Sequence, residues 1–376
     1  MKRITIPILA GLMLLLAGCA PAASDNETDT PASVVVEVET TIPLPGTPHA
    51  LFYNPIDDKV YSANIDSDNV TIIDGATNQV QETVAMPRGP RQFIQDPKRD
   101  LIYVANYYGD SLSVIDGKTN RIVATIPSAS GPRDFAFNVQ DEKVYCANEL
   151  SGDVTVVDAH TLTVLGRVPV GDTPRTLCYN STNDTVYSAN FKSGSLTVID
   201  GKTDQAVATI RVGNAPKVLV HNPKSGKVYC SNYASDTVTI INAANNMELR
   251  TLSVGDGPSE LFYDEVNNKV YCAIIGEPGI GHRNDIVKVI DGVTDRVDEL
   301  PAQDEPTSFA MLAGGNLIFW ANEWSDTVSV VRGAALEVQQ VIGVGRQPVD
   351  IVSNPLRQRV YTGCGLGKSI TVLVAR

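Results

Sequence analysis

Histidine is scarce in this 376-residue chain, and the four present, His49, His160, His221 and His282, are far apart in sequence. Local metal sites repeat their ligands a few residues apart, and no such spacing occurs here. Cysteine is nearly as scarce. Six are present, with no CxxC step and no CxxCH haem-attachment step. No P-loop and no nucleophile-elbow pattern occurs. Amphipathic stretches of helical period are missing too, which excludes a helical bundle. These absences point away from metal chemistry and locally encoded catalysis, so neither metal ligands nor catalytic residues are assigned. Only a site assembled from distant parts of the chain remains open to catalysis. Positive charge is in deficit: 43 acidic against 30 basic residues give a net charge of −13. Such a chain repels polyanions, which argues against nucleic acid as a general partner.

Long apolar runs are also missing, apart from Ile4–Ala17, which is short for a membrane-spanning helix. Lys2 and Arg3 precede it, and Leu16-Ala17-Gly18-Cys19 follows. The pattern resembles a lipobox, in which the cysteine accepts diacylglycerol and the leader is cleaved before it. An ordinary signal peptide with a chance cysteine is the alternative. The expectation is a leader over 1–19 with Cys19 as lipidation site. Losing Lys2 and Arg3 lowers the charge of the mature chain by two, to −15. Residues 20–33 are small, polar and acidic, the composition of a flexible tether. The chain is thus expected to be exported and lipid-anchored at the cell envelope. Ala20, where aspartate would favour inner-membrane retention, leans toward the outer membrane or cell surface.

The remaining cysteines, Cys146, Cys178, Cys230, Cys272 and Cys364, are an odd number and cannot all pair. They read as small buried hydrophobes, with a Cys146–Cys178 bridge between neighbouring repeats as the alternative.

What the sequence does contain is a repeat. Proline recurs at 48, 90, 132, 174, 216, 258, 306 and 348, in steps of 42 with a single step of 48. Thirteen residues after each comes an aromatic: Tyr61, Tyr103, Tyr145, Tyr187, Tyr229, Tyr271, Phe319 and Tyr361. Thirteen further on comes Asp74, Asp116, Asp158, Asp200 or Asn242, usually before glycine. These acids read as turn residues, because they recur in nearly every unit. Each unit reads as four short strands rich in β-branched and aromatic residues. Units of this size match propeller blades. The last unit lacks a fourth strand, and 34–42 can supply it from the other end of the chain. The expected fold is all-β: a closed eight-bladed β-propeller over 34–376, its N-terminal strand completing the last blade.

The tetrapeptide Tyr103-Val104-Ala105-Asn106, with Tyr61-Ser62-Ala63-Asn64, Tyr145-Cys146-Ala147-Asn148, Tyr187-Ser188-Ala189-Asn190 and Tyr229-Cys230-Ser231-Asn232, resembles the signature of the YVTN-type β-propeller repeat family. Threonine at the third position is replaced throughout, and the asparagine is lost at Ile274 and Cys364. The resemblance implies the fold and leaves activity open, since such propellers serve as surface proteins, binding proteins and domains of redox enzymes.

Directly after the prolines stand His49, Arg91, Arg133, Arg175, Lys217, Ser259, Thr307 and Val349. Four consecutive units therefore place a cation at one spot near the axis of the ring. On the same rim the b–c loops carry Tyr107, Tyr108, Glu149, Phe191, Tyr233, Glu323 and Trp324. Cations beside aromatics suit an anionic ligand or an acidic protein partner. The competing reading is a structural girdle in which the cations pair with Asp66, Asp110, Asp134 or Asp153. Seven extra residues interrupt the sixth unit on this rim and carry His282 and Arg283, either a specificity loop or a tolerated insertion. The leading expectation is a non-catalytic binding module without cofactor. One alternative is a propeller similar to the haem d1 domain of nitrite reductases, with His49 or His221 as iron ligand. Another is a lyase or lactonase built on a His/Glu or metal cluster.

Overall fold

The computed structural model describes residues 34–276 and 285–376. Cys19, the leader and the tether lie outside the described residues, as do His282 and Arg283. Among the described residues no helix is long and apolar enough to cross a membrane. Residues Val34–Arg376 form one unit, built of eight four-stranded antiparallel sheets.

Each repeat becomes one blade, and blade 1 sets the pattern: strand a Pro48–Asn54, b Lys59–Asn64, c Asn69–Asp74 and d Val80–Ala85. The strands differ in composition because they differ in burial. Strand b is buried along its whole length in blade 1, whereas strand d is almost wholly exposed. Strand b is sandwiched between neighbouring blades, so both its faces must be apolar or internally bonded. The repeated aromatic is the largest part of this filling. All seven tyrosines and Phe319 are fully buried. Tyr61 packs edge-on against Phe93 of blade 2, with ring centroids 6.2 Å apart.

The other repeated residues satisfy the backbone and the turns. The signature asparagine reaches forward along the b–c hairpin: Asn64 Nδ2 donates to Asn69 Oδ1 at 2.7 Å and to Thr71 Oγ1 at 2.9 Å. Asn148 and Asn232 repeat the arrangement. Where Cys364 replaces it, weak thiol contacts to Thr371 Oγ1 at 3.7 Å and to Thr362 O at 3.6 Å stand in its place. The repeated aspartates hold the c–d turns. Asp74 Oδ1 accepts from the Ala76 and Thr77 amides and from the Thr77 hydroxyl. Asp116, Asp158, Asp200 and Asp291 accept from a threonine three residues on.

Long cations tie neighbouring blades together. Lys59 of blade 1 donates to Gly117 O of blade 2 at 2.5 Å, and Lys143 and Lys227 do the same one blade on, to Gly201 O and Gly292 O. The ring closes where Val36–Pro43 pairs antiparallel with Ser369–Ala375, giving blade 8 its fourth strand. Gln340 of blade 7 bonds both the N–H and the C=O of Val36. Arg359 grips Glu39 and also reaches Gly75 O of blade 1. The closing strand is therefore held by both neighbours of its own blade.

All five described cysteines are free, so the Cys146–Cys178 alternative is not realised. Cys146 packs with Tyr103 and Phe135, between blades 2 and 3, and Cys178 packs against Tyr187 and Leu219, between blades 4 and 5. They lie in different blade interfaces.

Candidate functional site

A β-bulge opens strand a in every blade. In blade 1, Pro48 faces Asn64 and Ala50 faces Ala63, leaving His49 as the extra residue. The same irregularity follows Pro90, Pro132, Pro174, Pro216, Pro258, Pro306 and Pro348. A bulge breaks the alternation of side chains and re-aims them. Two consecutive residues after the proline then line one axial cavity of about 490 Å³ in most blades, as with Arg133 and Asp134 or Arg175 and Thr176.

The first tier of this cavity carries His49, Arg91, Arg133, Arg175 and Lys217, contributed by blades 1 to 5. The structure thus brings together five of the rim residues expected from sequence. Each cation meets the residue sixteen positions later, on the b–c loop of its own blade. Arg91 lies over the Tyr107 ring at 5.3 Å, Arg175 over Phe191 at 3.6 Å, and Lys217 over Tyr233 at 5.3 Å. The backbone sets this pairing: Tyr107 N donates to Gly89 O, Phe191 N to Thr173 O and Tyr233 N to Ala215 O. Each such bond pins the first b–c loop residue against the loop that enters strand a. In blade 3 the partner is an acid, and Arg133 Nη1 stands 2.8 Å from Glu149 Oε2. Trp324 is exposed on its loop and does not line the cavity.

The girdle exists in part, but not with the acids expected. Asp66 pairs with Lys368, Asp110 accepts from the Gly131 amide, Asp134 from the Leu177 amide, and Asp153 from Asn148. Glu149 is the acid that serves, bridging Arg133 and Arg175 (Nε–Oε1 3.0 Å) while accepting from the Tyr107 hydroxyl at 3.0 Å. Burial raises the Glu149 pKa, but Arg133, the Tyr107 hydroxyl and Arg175 more than offset this and hold it below the usual range. Among the described residues neither Arg91 nor Lys217 is in an ion pair. Burial, and then the neighbouring Arg133, pull the Arg91 pKa down to about 10. Burial also lowers Lys217, against the pull of Glu260.

A second tier was missed from sequence. It carries Gln92, Asp134, Thr176, Glu260, Ser308 and Asp350. Two of its acids clasp adjacent blades: Asp134 accepts from Leu177 N at 2.8 Å and Asp350 from Leu51 N at 2.7 Å. Burial pushes Asp134 up to about 6 and Glu260 up to about 8. The signal for this tier is the adjacency of two polar residues after each proline. Adjacency in a regular strand would have put them on opposite faces.

His49 is the one described histidine on the lining, its pKa brought down to about 3 by burial and then by Arg91 and Arg133. That keeps it neutral, the form in which imidazole binds metals. His221 lies further along strand a of blade 5, outside the lining, and its Nε2 has no hydrogen-bond partner. Among the described residues no group of three or more His, Cys, Asp and Glu is arranged to hold a metal ion. The lyase or lactonase alternative has no such donor set there.

No protein-family model matches the chain, so the YVTN-type resemblance rests on its tetrapeptides alone. No curated protein matches it either. Among solved structures, a chain of Kuenenia stuttgartiensis hydrazine synthase superposes with a TM-score of 0.60 at 18% identity, covering 89% of this chain and 97% of that one. At that identity the likeness carries the architecture, and the chain is an eight-bladed β-propeller of four-stranded antiparallel blades.

Proposed function

We propose that this propeller is a non-catalytic binding module that takes an anionic small molecule, or an acidic group of a protein partner, in its axial cavity. The observation that carries this reading is Arg91 and Lys217. Both line the cavity, both are partly stripped of water, and among the described residues neither is in an ion pair. A desolvated cation with no acid in direct contact is costly, and a bound anion relieves that cost. Arg91 offers a planar fork for carboxylate or phosphate oxygens. The Tyr107, Phe191 and Tyr233 rings stabilise the cations in the free protein without occupying their donors.

Calorimetric titration with inorganic phosphate and short carboxylates tests this. The wild-type chain binds at least one of them, and Arg91→Gln with Lys217→Gln abolishes the heat while the melting temperature holds. Unchanged binding in the double variant removes the proposal. A visible absorption band in protein purified from its host would favour the haem-type alternative.

The same reading places the module at the cell envelope, held through a lipid on Cys19 by the 20–33 tether. Cys19→Ser should release the protein from the membrane fraction. Retention of that variant would refute lipid anchoring.

A further inference from the structure

The acids of the cavity do not all serve the fold. Asp134 and Asp350 each accept a hydrogen bond from an amide of the following blade, at 2.8 and 2.7 Å. Asp350 also accepts from Ser308 Oγ at 2.7 Å. Glu260 stands at the equivalent position of blade 6 and is one methylene longer. Its carboxyl is close to the amide of its own neighbour Leu261 and, among the described residues, has no bond to the next blade. It lines the cavity instead.

Its place in the ring gives that departure a direction. In a closed ring of eight, blade 6 stands across the axis from blade 2, so Glu260 and Arg91 line the cavity from opposite sides, in different tiers. The acids Glu305 and Glu323 lie on the blade 7 side of the same rim, within electrostatic reach of Lys217. Glu323 accepts from Gln347 Nε2 at 2.8 Å. Apart from the amide-bonded Asp134 and Asp350, the cavity is therefore polarised across its width: blades 2 to 5 supply its cations, blade 6 supplies Glu260, and the blade 7 acids add to the field from the rim. A simple anion uses the cation side only and leaves the buried Glu260 with just the Leu261 amide and the longer-range pull of Lys217 to offset its burial.

We infer that the cavity takes an amphoteric small molecule, its acidic group held on the Arg91 side and its protonated amine on Glu260. This rests on the anion-binding reading above and adds the second half of the ligand. The carboxylate takes the Arg91 fork, and the ammonium donates to Glu260, which gives up its proton to solvent as the amine binds. Asp134 and Asp350, already occupied by amides, leave Glu260 as the acceptor for that amine.

The test is calorimetry of the full-length chain with 4-aminobutanoate, 5-aminopentanoate and 6-aminohexanoate. Each is compared with the n-alkanoate, the n-alkylamine and the dicarboxylate of the same length. At least one amino acid should bind about tenfold more tightly than its alkanoate. Glu260→Gln, which keeps the side-chain shape, should bring the two within about twofold without weakening the alkanoate. Alkanoates or dicarboxylates binding as tightly as the amino acids would overturn the amphoteric ligand and leave the anion site standing. An advantage that survives Glu260→Gln would also overturn it. If no carboxylate binds, the anion site falls as well.

Discussion

Glu39 and Arg359 stand 320 residues apart in sequence and share a two-pronged ion pair, Nε to Oε2 at 2.5 Å and Nη2 to Oε1 at 2.6 Å. The same guanidinium bonds Gly75 O at 2.6 Å. One side chain thus joins the first strand, the last blade and the first blade. Glu39→Gln should cost about 1 kcal/mol at pH 7, a modest value because the pair is partly solvated. The Arg359 hydrogen bond, more than burial, sets the Glu39 pKa below its ordinary value. Its contribution is therefore present above the ordinary carboxylate pKa and is lost as pH falls through the lowered one. Denaturant melts at pH 7 and pH 3 check this. The variant should lose stability at pH 7, and its deficit should shrink at pH 3.

Glu149 neutralises two of the cavity cations, so its removal separates fold from ligand affinity. Glu149→Gln should cost about 2 kcal/mol, since Arg133 and Arg175 lose their shared acid. It should also raise affinity for phosphate or a short carboxylate several-fold. A melting curve and a titration on the same sample give both readouts. A fall in both would mean that Glu149 organises the site instead of competing for it.

The repeated aromatics divide into two kinds. The Tyr103 and Tyr271 hydroxyls are buried without a hydrogen-bond partner, and blade 7 already has Phe319 at this position. The Tyr361 hydroxyl donates to Asn78 Oδ1 at 2.6 Å. Tyr103→Phe should be neutral or stabilising, and Tyr361→Phe should cost about 1 kcal/mol. Equilibrium unfolding of the two variants checks the contrast.

Glu260 gives the opposite pH dependence to Glu39. Its folded pKa of about 8 lies above the ordinary value of 4.5. The folded state binds the extra proton between these values, so stability from this group is complete below 4.5 and is lost as pH rises toward 8. Lys217, Asp134 and Asp350 are the charged groups acting on it. Glu260→Gln should match wild type near pH 5 and melt about 2–4 °C higher at pH 9.

The architecture was legible because proline and aromatic recur in all eight units with a fixed thirteen-residue spacing and the turn acid recurs in most of them. A closing strand had to exist once blade 8 lacked one. The cation tier was legible for the same reason, being the one repeat position where side-chain chemistry changes along the ring. The second tier was not, because strand alternation argues that Asp134 and Glu260 point away from Arg133 and the cavity. A bulge overrides alternation, and it shows in sequence only as a proline at the start of an otherwise regular strand. The partnership of Glu149 with two arginines was hidden too. It joins blades 3 and 4 across a loop, where the nearby aspartates had seemed better placed.

The bulge after each proline has a consequence for how such a protein diverges. It gives each blade two adjacent codons whose side chains look onto the axis, while the b and c strands that close-pack the ring lie elsewhere in the repeat. Except at Asp134 and Asp350, which clasp the next blade, point substitutions at those codons can rewrite the charge map of the cavity while the b and c strands stay packed. Ligand preference can therefore drift quickly on a scaffold that stays the same, and relatives of similar shape are expected to differ first at these paired positions.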